Sequence, residues 1–314
     1  MKNYADRLLS AIDRKGSPCV VGLDPRIELM PDFIVNSRED WPPADAIRHV
    51  IGNFNRVVIE AVNDLVPAVK LQIAFYEQYG LPGLQAFVDT IQFAKDCGLI
   101  VIVDAKRNDI SSTAGAYANA FLGRTNIFGQ SQPIFDVDCI TVSPFLGRDS
   151  LMPFIEACSA YGKGVFVLVK TSNPGSSDLQ DQKLAKSGDP ISKDLARMVA
   201  NCGTAVIGEF GYSSIGAVVG ATFPHEAKEL RVLMPQAIIL VPGYGAQGGT
   251  AEGAAACFNT DRRGAVVNAS RSIIYSHERQ DVSPSDFSSV IRRSTQNMKK
   301  EVIDAIPSMM TVAQ

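Results

Sequence analysis

Short runs of apolar residues recur along the chain, and nearly every one is followed by a segment with helical periodicity. The eight runs that predict strands lie at residues 19–23, 66–72, 99–103, 138–142, 164–169, 216–220, 237–241 and 264–268. Continuous apolar runs of this length are typical of strands buried on both faces of a parallel sheet. Strands that alternate with helices favour an α/β fold, and eight of them favour a (β/α)8 TIM barrel. A doubly wound open sheet is the alternative, but it has no reason to stop at eight strands.

The remaining segments fit a single domain that spans residues 1–314. An amphipathic helix is predicted at the N-terminus, over residues 3–14, and a long C-terminal helix over about 287–305. Residues 171–189 form a long polar segment rich in Ser, Gly, Asp and Lys. Loops of this length without secondary structure are usually either disordered tips or functional lids.

Composition excludes several classes of function. The net charge of -3 provides no general attraction to nucleic acid, and no Lys/Arg run is interleaved with aromatic residues. The six cysteines lack CxxC spacing, which suits free thiols in a reducing cytoplasm, and the three histidines lack the spacing of metal ligands. No apolar run reaches membrane-spanning length, and the N-terminus does not resemble a signal peptide. We therefore expect a cytoplasmic protein that binds neither nucleic acid nor a membrane.

Four charges of alternating sign are predicted to meet at one end of the barrel. Asp104 and Lys106 follow an apolar strand two residues apart, on one face of it, and Asp109 follows in the loop. Lys70 lies near the end of the preceding strand. Residues just beyond the carboxyl ends of barrel strands form the active face. The alternative interpretation is a structural ion-pair cluster that plugs the barrel.

This charge array suggests acid–base chemistry without a metal. Each charge in an alternating array can remain ionised, because it lies between opposite charges. A protonated lysine can then act as a general acid, and a fixed carboxylate can repel an anionic group of a substrate. The lysines already balance the aspartates, so no metal need be invoked, which argues against a Mg²⁺-dependent enolate mechanism.

Two late segments have the features of a phosphate site. The loop at residues 242–249 contains four glycines, which let backbone N–H groups approach an anion closely. Ser270 and Arg271 follow the eighth predicted strand and open a helix, which adds amides and a guanidinium. The loops after strands seven and eight commonly hold phosphate in barrels. Alternatively, the glycines only make tight turns and Arg271 forms a surface pair.

In chain order, these motifs resemble those of the orotidine 5'-phosphate decarboxylase family. The similarity covers residues 19–275 and is carried by Val21-Gly-Leu-Asp24-Pro25, Lys70, Asp104-Ala-Lys106-Arg-Asn-Asp109-Ile110, Pro242-Gly-x-Gly-Ala-Gln247-Gly-Gly249 and Arg271-Ser-Ile. The segment Val169-Lys-Thr171-Ser-Asn173-Pro174-Gly175 is similar to the longer bacterial branch, often called type 2. The Asp-x-Lys-x-x-Asp-Ile motif is the most specific part of the resemblance.

The resemblance implies a reaction and roles for the charged residues. The family removes CO2 from orotidine 5'-phosphate without a cofactor and forms UMP, the last step of pyrimidine nucleotide synthesis. By resemblance, Lys106 protonates C6 of the pyrimidine as CO2 leaves, and Asp104 destabilises the substrate carboxylate. Lys70 positions Asp104 and binds ribose, which Asp24 also binds.

Further binding residues and a homodimer are implied in the same way. Ser143 and Gln247 would contact the pyrimidine or bridge to the phosphate, and Arg271 would bind the phosphate. Asp109 and Thr113 would enter the active site of the partner subunit, so the implied assembly is a homodimer with shared active sites. The segment that begins at Thr171 would close over the substrate, driven by binding of the remote phosphate.

Two positions depart from the family pattern. Asn108 stands where the family usually has Gly, and we expect the turn to be kept because Asn tolerates a positive φ. Lys170 stands where this branch more often has Arg, a change that matters only if the residue makes a bidentate contact.

The segments 26–43 and 124–137 either extend a subunit interface or decorate the surface. The protein either works alone or works beside the phosphoribosyltransferase that catalyses the preceding step of the synthesis.

Two other functions are weighed against this one. Related Mg²⁺-dependent sugar-phosphate decarboxylases and aldolases share the barrel and an Asp-x-Lys-x-x-Asp motif. Lys70 after an apolar strand and the Gly-Ala-Gln-Gly-Gly run favour the nucleotide enzyme. A non-catalytic phosphate-binding barrel would require a broken charge array, whereas all four charges are present here.

Overall fold

Eight parallel strands close into a barrel in the computed structural model, which describes residues 2–38, 41–245, 248–279 and 282–306. The described residues contain ten strands, of which all but β4 and β5 belong to the barrel: β1 (Cys19–Leu23), β2 (Ala68–Gln72), β3 (Ile100–Arg107), β4 (Thr125–Ile127), β5 (Gln130–Gln132), β6 (Cys139–Val142), β7 (Gly164–Lys170), β8 (Ser213–Val219), β9 (Ala237–Val241) and β10 (Ala265–Ala269). The order around the barrel is β1-β10-β9-β8-β7-β6-β3-β2, and β4 and β5 pair separately. The predicted (β/α)8 barrel in a single domain is confirmed.

Helices separate most of these strands and cover the outside of the barrel. They are α1 (Tyr4–Lys15), α2 (Asp32–Val35), α3 (Pro43–Val62), α4 (Ala74–Glu77), α5 (Gly80–Asp96), α6 (Ser111–Phe121), α7 (Arg148–Tyr161), α8 (Ile191–Gly203), α9 (Pro224–Leu233), α10 (Ala251–Ala255), α11 (Arg271–Ile274) and α12 (Phe287–Ala305). Of the helices within the described ranges, none combines the length and apolarity that crossing a lipid bilayer requires.

Alternation along the strands sorts their side chains into two apolar layers. One layer fills the barrel interior and includes Val20, Ile102 and Phe166, whereas the other packs between strands and helices. Helix α1 belongs to the interior layer through Tyr4 and Leu8, so it closes the end of the barrel where the strands begin. The opposite end, where the strands finish, is therefore the end left for a ligand.

The predicted strand limits agree best with the observed ones where the apolar run in the sequence is continuous. β1 and β9 have the predicted bounds. β8 begins three residues before the predicted 216, because the hydroxyls of Ser213 and Ser214 donate to Gly203 O and Asn3 Oδ1 and so satisfy two polar groups inside the fold. β3 extends to Arg107, so it includes Asp104 and Lys106 of the charged motif but not Asp109.

Two segments that lacked a sequence-based role have structure of their own. Residues 26–43 contain a 3-10 helix at Ile27–Leu29 and the short helix α2, and the buried side chains of Met30 and Ile34 anchor them. Residues 124–137 contain the antiparallel hairpin β4–β5, which places Phe128 at its fully exposed tip.

Candidate active site

Three of the four predicted charges lie together at the carboxyl ends of β2 and β3. The carboxylate of Asp104 accepts from Lys106 Nζ at 2.7 Å through Oδ1 and from Lys70 Nζ at 3.3 Å through Oδ2. Lys70 lies inside the barrel with 3% of its surface exposed, whereas the side chain of Lys106 is 46% exposed. The carboxylate therefore bridges one buried ammonium and one that can reach an entering ligand.

Two polar residues that sequence reasoning missed complete the environment of Asp104. Thr141 Oγ1 donates to Oδ1 at 2.8 Å, and Gln72 Nε2 donates to Oδ2 at 3.0 Å. Gln72 follows Lys70 by two residues and pairs with Asp104 in the register of β2 and β3. A signal was present for Gln72, since it is a polar residue in an apolar strand two positions after Lys70. With four donors, the acceptor sites of the carboxylate are essentially filled.

Electrostatics fix the protonation of the buried pair. Burial lowers the pKa of the Lys70 ammonium, but the attraction of Asp104 and then of Asp24 outweighs it, so this pKa is raised. Burial likewise raises the pKa of the Asp104 carboxyl, but Lys70 and Lys106 outweigh burial and lower it to about 2. Asp104 is therefore an anion, and Lys70 a cation, across the neutral pH range.

The strand that carries the motif is not regular where the motif lies. β3 pairs with β6 at Val103↔Ile140 and next at Arg107↔Val142, so three residues of β3 stand opposite one residue of β6. Lys106 has φ of 47°, in the left-handed region. Asp104 and Lys106 thus meet through a bulge, and not through the simple alternation of a flat strand. Bulges of this kind re-aim side chains next to active sites.

Asp24 lies at the same end of the barrel, near Lys70. Its Oδ1 is buried and has no hydrogen-bond partner among the described residues, and the same is true of Oδ1 of Asn268 on β10. Both acceptors lie close to the end of β1, because a Cβ on Gly22 would lie 3.3 Å from Asn268 Oδ1. Buried acceptors without donors are rare, and here they suit a ligand rich in hydroxyl groups. Sequence reasoning did not identify Asn268.

The predicted phosphate segments also come together. Gly245, Gly249 and Arg271 line one cleft of about 1030 Å³ between the glycine-rich loop and α12. The Arg271 guanidinium lies at the surface, 3.6 Å from Glu278. Ser270 precedes α11 and lies against β1, where a Cβ on Gly22 would be 1.9 Å from its Oγ.

The glycine-rich loop differs from the expectation in how it uses its amides. Gly243, Gly245 and Gly248 all have positive φ, so the turns require glycine. However, the N–H groups of Gly245, Gly248 and Gly249 donate to carbonyls of the same loop. These three amides therefore hold the loop together instead of facing an anion. Gln247 lies outside the described residues.

The remaining predicted residues lie around the rim. Asp109 Oδ1 accepts from Ile110 N at 2.8 Å, and among the ion pairs of the described residues none joins Asp109 to Lys106. Thr113 is exposed in the first turn of α6. Ser143 is half-buried, and its N–H donates to Arg107 O at 3.0 Å. The fourth charge thus does not join the array within one chain.

Comparison with known proteins agrees with this geometry. Residues 20–283 match the model of the "Orotidine 5'-phosphate decarboxylase / HUMPS family". An orotidine 5'-phosphate decarboxylase of Rhodopirellula baltica is 43% identical over 96% of this chain and 99% of its own length. That of Caldicellulosiruptor saccharolyticus is 40% identical, with 98% and 100% covered. The chain belongs to the orotidine 5'-phosphate decarboxylase family.

Solved structures of this family share the architecture. The OMP decarboxylase of Leishmania donovani superposes with a TM-score of 0.72 at 28% identity, covering 97% of this chain and 98% of that one. The UMP synthase of the same organism superposes with a TM-score of 0.73 at 28% identity. The superposition covers 98% of this chain but only 57% of the UMP synthase chain.

The two departures from the family pattern have different outcomes. Asn108 does not adopt the positive φ through which we expected the turn to be kept, because the positive φ values in this stretch lie at Lys106 and Ser111. Lys170 is 1% exposed, pairs with Asp181 at 2.6 Å and lies 4.5 Å from the centroid of the Phe223 ring. A single ion pair and a cation–π contact suit an ammonium, so the lysine is accommodated at this position.

Proposed function

We propose that this chain converts orotidine 5'-phosphate to UMP and CO2, a step of pyrimidine biosynthesis, without a metal or cofactor. The observation that carries the proposal is the Asp104 carboxylate, held as an anion between the ammonium groups of Lys70 and Lys106. This arrangement provides a fixed negative charge and, beside it, an acid with a proton to donate.

The reaction follows from these two groups. The substrate carboxylate lies against Asp104, and its loss as CO2 relieves the repulsion between two anions. The C6–carboxylate bond breaks, and its electron pair stays on C6. Lys106 then donates a proton from its ammonium to C6, which leaves a neutral amine that solvent reprotonates. Lys70 keeps Asp104 ionised throughout and so maintains the repulsion.

Binding of the rest of the nucleotide falls to residues around the mouth. Lys70 and Asp24 bind the ribose, a role supported by the unpartnered buried acceptor of Asp24. Ser143 and Gln247 contact the pyrimidine or bridge to the phosphate. The phosphate is bound by Arg271 with Ser270 beside it, at the cleft that Arg271 shares with the glycine-rich loop.

Residues 171–189 act as the lid. The segment contains a 3-10 helix at Pro174–Asp178, and Gln180 Nε2 donates to Thr171 Oγ1 at 2.9 Å. The pair of Asp181 with the buried Lys170 joins the segment to the end of β7. These contacts support a lid that rests on the strand beside the mouth of the barrel.

Two alternative functions are less well supported. A Mg²⁺-dependent sugar-phosphate enzyme needs carboxylate oxygens free to bind the ion. Both oxygens of Asp104 already accept from two donors each, and one donor to each is an ammonium. A non-catalytic phosphate-binding barrel would not need the array, whose desolvation is costly.

A homodimer with shared active sites is part of the proposal. Thr113 is exposed, and the ion pairs of the described residues include none between Asp109 and Lys106, so both residues are available to a second copy. Apolar side chains near them are exposed, with Ile110 at 52% and Phe145 at 75%. Such exposure is typical of an interaction surface.

We also propose a cytoplasmic location, because all six cysteines are free thiols, and we expect neither nucleic-acid nor membrane binding.

The test is the loss of orotidine 5'-phosphate ultraviolet absorbance, measured with the purified protein in EDTA. We expect rapid loss with the native chain and a decrease in kcat of several orders of magnitude for Lys106→Ala. Lys163→Ala is the matched control, since Lys163 also pairs with a carboxylate, Asp136 at 2.7 Å, away from the site. Activity that appears only with Mg²⁺, on a sugar phosphate, would overturn the proposal.

Mixing two inactive variants tests the shared site. If Asp109 acts in the partner's site, then Asp109→Ala is also inactive, and a heterodimer with Lys106→Ala contains one intact site. Activity should therefore return when the two variants are mixed and allowed to exchange subunits. A mixture that stays inactive, although the two chains are shown to associate, would contradict shared sites.

A further inference from the structure

The bulge in β3 removes ladder hydrogen bonds from the residues that the reaction uses. Between Val103 and Arg107 no residue of β3 is paired in register with β6. The one residue of β6 that faces this gap is Thr141, which is 1% exposed. A bulged residue leaves its backbone groups without their usual ladder partners. Something else must therefore fix the backbone of Lys106.

The Thr141 hydroxyl performs this task and contacts Asp104 as well. Lys106 N–H donates to Thr141 Oγ1 at 2.9 Å, and Thr141 Oγ1 lies 2.8 Å from Asp104 Oδ1. An amide N–H can only donate and an ionised carboxylate can only accept, so the direction of both bonds is fixed. The hydroxyl accepts from Lys106 and directs its single proton at Asp104.

We propose that Thr141 is a positioning residue for decarboxylation, whose hydroxyl sets the bulge so that the Asp104 carboxylate and the Lys106 ammonium keep their relative placement. The inference rests on the proposed roles of Asp104 and Lys106. Thr141 touches no reacting atom in this role. It acts through the backbone of one residue and the side chain of the other, at the point where the left-handed φ of Lys106 needs support.

The position also explains why the residue is a threonine. Its neighbours in β6 are apolar and buried, so a hydroxyl there costs desolvation unless both of its bonding directions are used. Valine has nearly the same shape and would fill the space, but it would leave Lys106 N–H and one acceptor site of Asp104 unsatisfied. Serine keeps both hydrogen bonds and loses only a methyl group.

The test compares Thr141→Val with Thr141→Ser in steady-state decarboxylation. We expect kcat to fall by about 100-fold in the valine variant, the size of loss that a misplacement of about 1 Å can cause. KM should change by less than roughly threefold, since the hydroxyl makes no contact with the substrate in this role. Serine should restore kcat to within about threefold of the native value.

A pH profile separates positioning from a merely structural role. Loss of a donor raises the pKa of the Asp104 carboxyl, so the acid limb of kcat should move to higher pH in the valine variant. Thr295→Val is the matched control, because Thr295 is also a fully buried threonine whose hydroxyl donates to a carbonyl, Ile291 O, at 2.9 Å. Its kcat and pH profile should stay native.

The outcomes distinguish this inference from the proposed function. If Thr141→Val keeps native kcat and pH profile while Lys106→Ala is inactive, positioning by Thr141 is overturned and the proposed function stands. If Lys106→Ala itself keeps native activity, both are wrong. Should the valine variant not fold, Thr141→Cys retains the side-chain volume and a weak donor. A folded cysteine variant with native kcat overturns the inference, and an intermediate kcat supports it.

Discussion

Lys70→Met tests the electrostatic basis of the site most directly. The substitution keeps an unbranched side chain in the barrel interior but removes the ammonium 3.3 Å from Asp104 Oδ2. Asp104 then retains one cation, Lys106, and its two neutral donors. Since Lys70 is the larger of the two charge effects that keep the Asp104 pKa near 2, its loss must raise that pKa.

The size of the rise follows from the distance. Two unit charges at 3.3 Å interact by about 5 kcal/mol at an effective dielectric near 20. At about 1.4 kcal/mol per pKa unit, this corresponds to roughly 3 to 4 units as an upper limit. Reorientation of the neighbouring groups recovers part of it, so we expect the pKa of Asp104 to rise by roughly 2 to 3 units, from about 2 to between about 4 and 5.

The assay is kcat at saturating orotidine 5'-phosphate between about pH 4 and pH 8. In the proposed mechanism, protonation of Asp104 abolishes its repulsion of the substrate carboxylate, so activity should fall as the pH drops through the pKa of Asp104. The native chain should show no acid limb from Asp104 in this range, whereas Lys70→Met should lose activity below about pH 5. Protonation of the substrate phosphate affects both pH profiles equally, so it does not contribute to the difference between the two proteins.

Lys163→Met controls for the loss of a buried lysine as such. Lys163 pairs with Asp136 at 2.7 Å through a mostly buried side chain, and its variant should keep the native pH profile. If folded Lys70→Met showed the same acid limb as the native chain, the charge of Lys70 would not control Asp104. The electrostatic reasoning would then be refuted, whatever the change in KM.

Two further predictions concern stability. Asp181→Asn leaves the ammonium of Lys170, which is 1% exposed, without its carboxylate partner. The free energy of unfolding measured in urea should therefore fall by about 3 kcal/mol. An unchanged urea midpoint would show that the ion pair contributes nothing to stability. The depressed pKa of Asp104 stabilises the fold above the unfolded-state pKa of about 4, and this contribution is lost as pH falls through about 2. The stability advantage of the native chain over Asp104→Asn should therefore shrink by about 2 kcal/mol between pH 6 and pH 2, and a constant difference in urea titrations would contradict the assignment.

Much of the barrel could be predicted because its signal is local. Each strand is a short apolar run between helical segments, so the eight strands could be found one at a time. Their meeting at one end then follows from the architecture, which is why Lys70 and Asp104 could be expected to touch. Asp109 differs, because a loop residue is not confined to the barrel axis.

The parts that could not be predicted depend on contacts between distant residues. The bulge in β3 is set by the register with β6, which the sequence of β3 alone does not contain. The same is true of Thr141, since a threonine in an apolar strand has no local mark that directs it at Lys106. Asn108 shows the converse error, because a residue type that tolerates positive φ does not place the turn at that residue.

The saturation of Asp104 links the fold to the chemistry. A carboxylate with free acceptor sites could rotate away from an incoming anion, or take up a proton, and either response would relax the repulsion. Here each oxygen already accepts from two donors, and the pKa of about 2 prevents protonation at neutral pH. The fold therefore holds this charge in place before the substrate arrives. The free energy needed to orient the carboxylate is supplied during folding and is not taken from substrate binding.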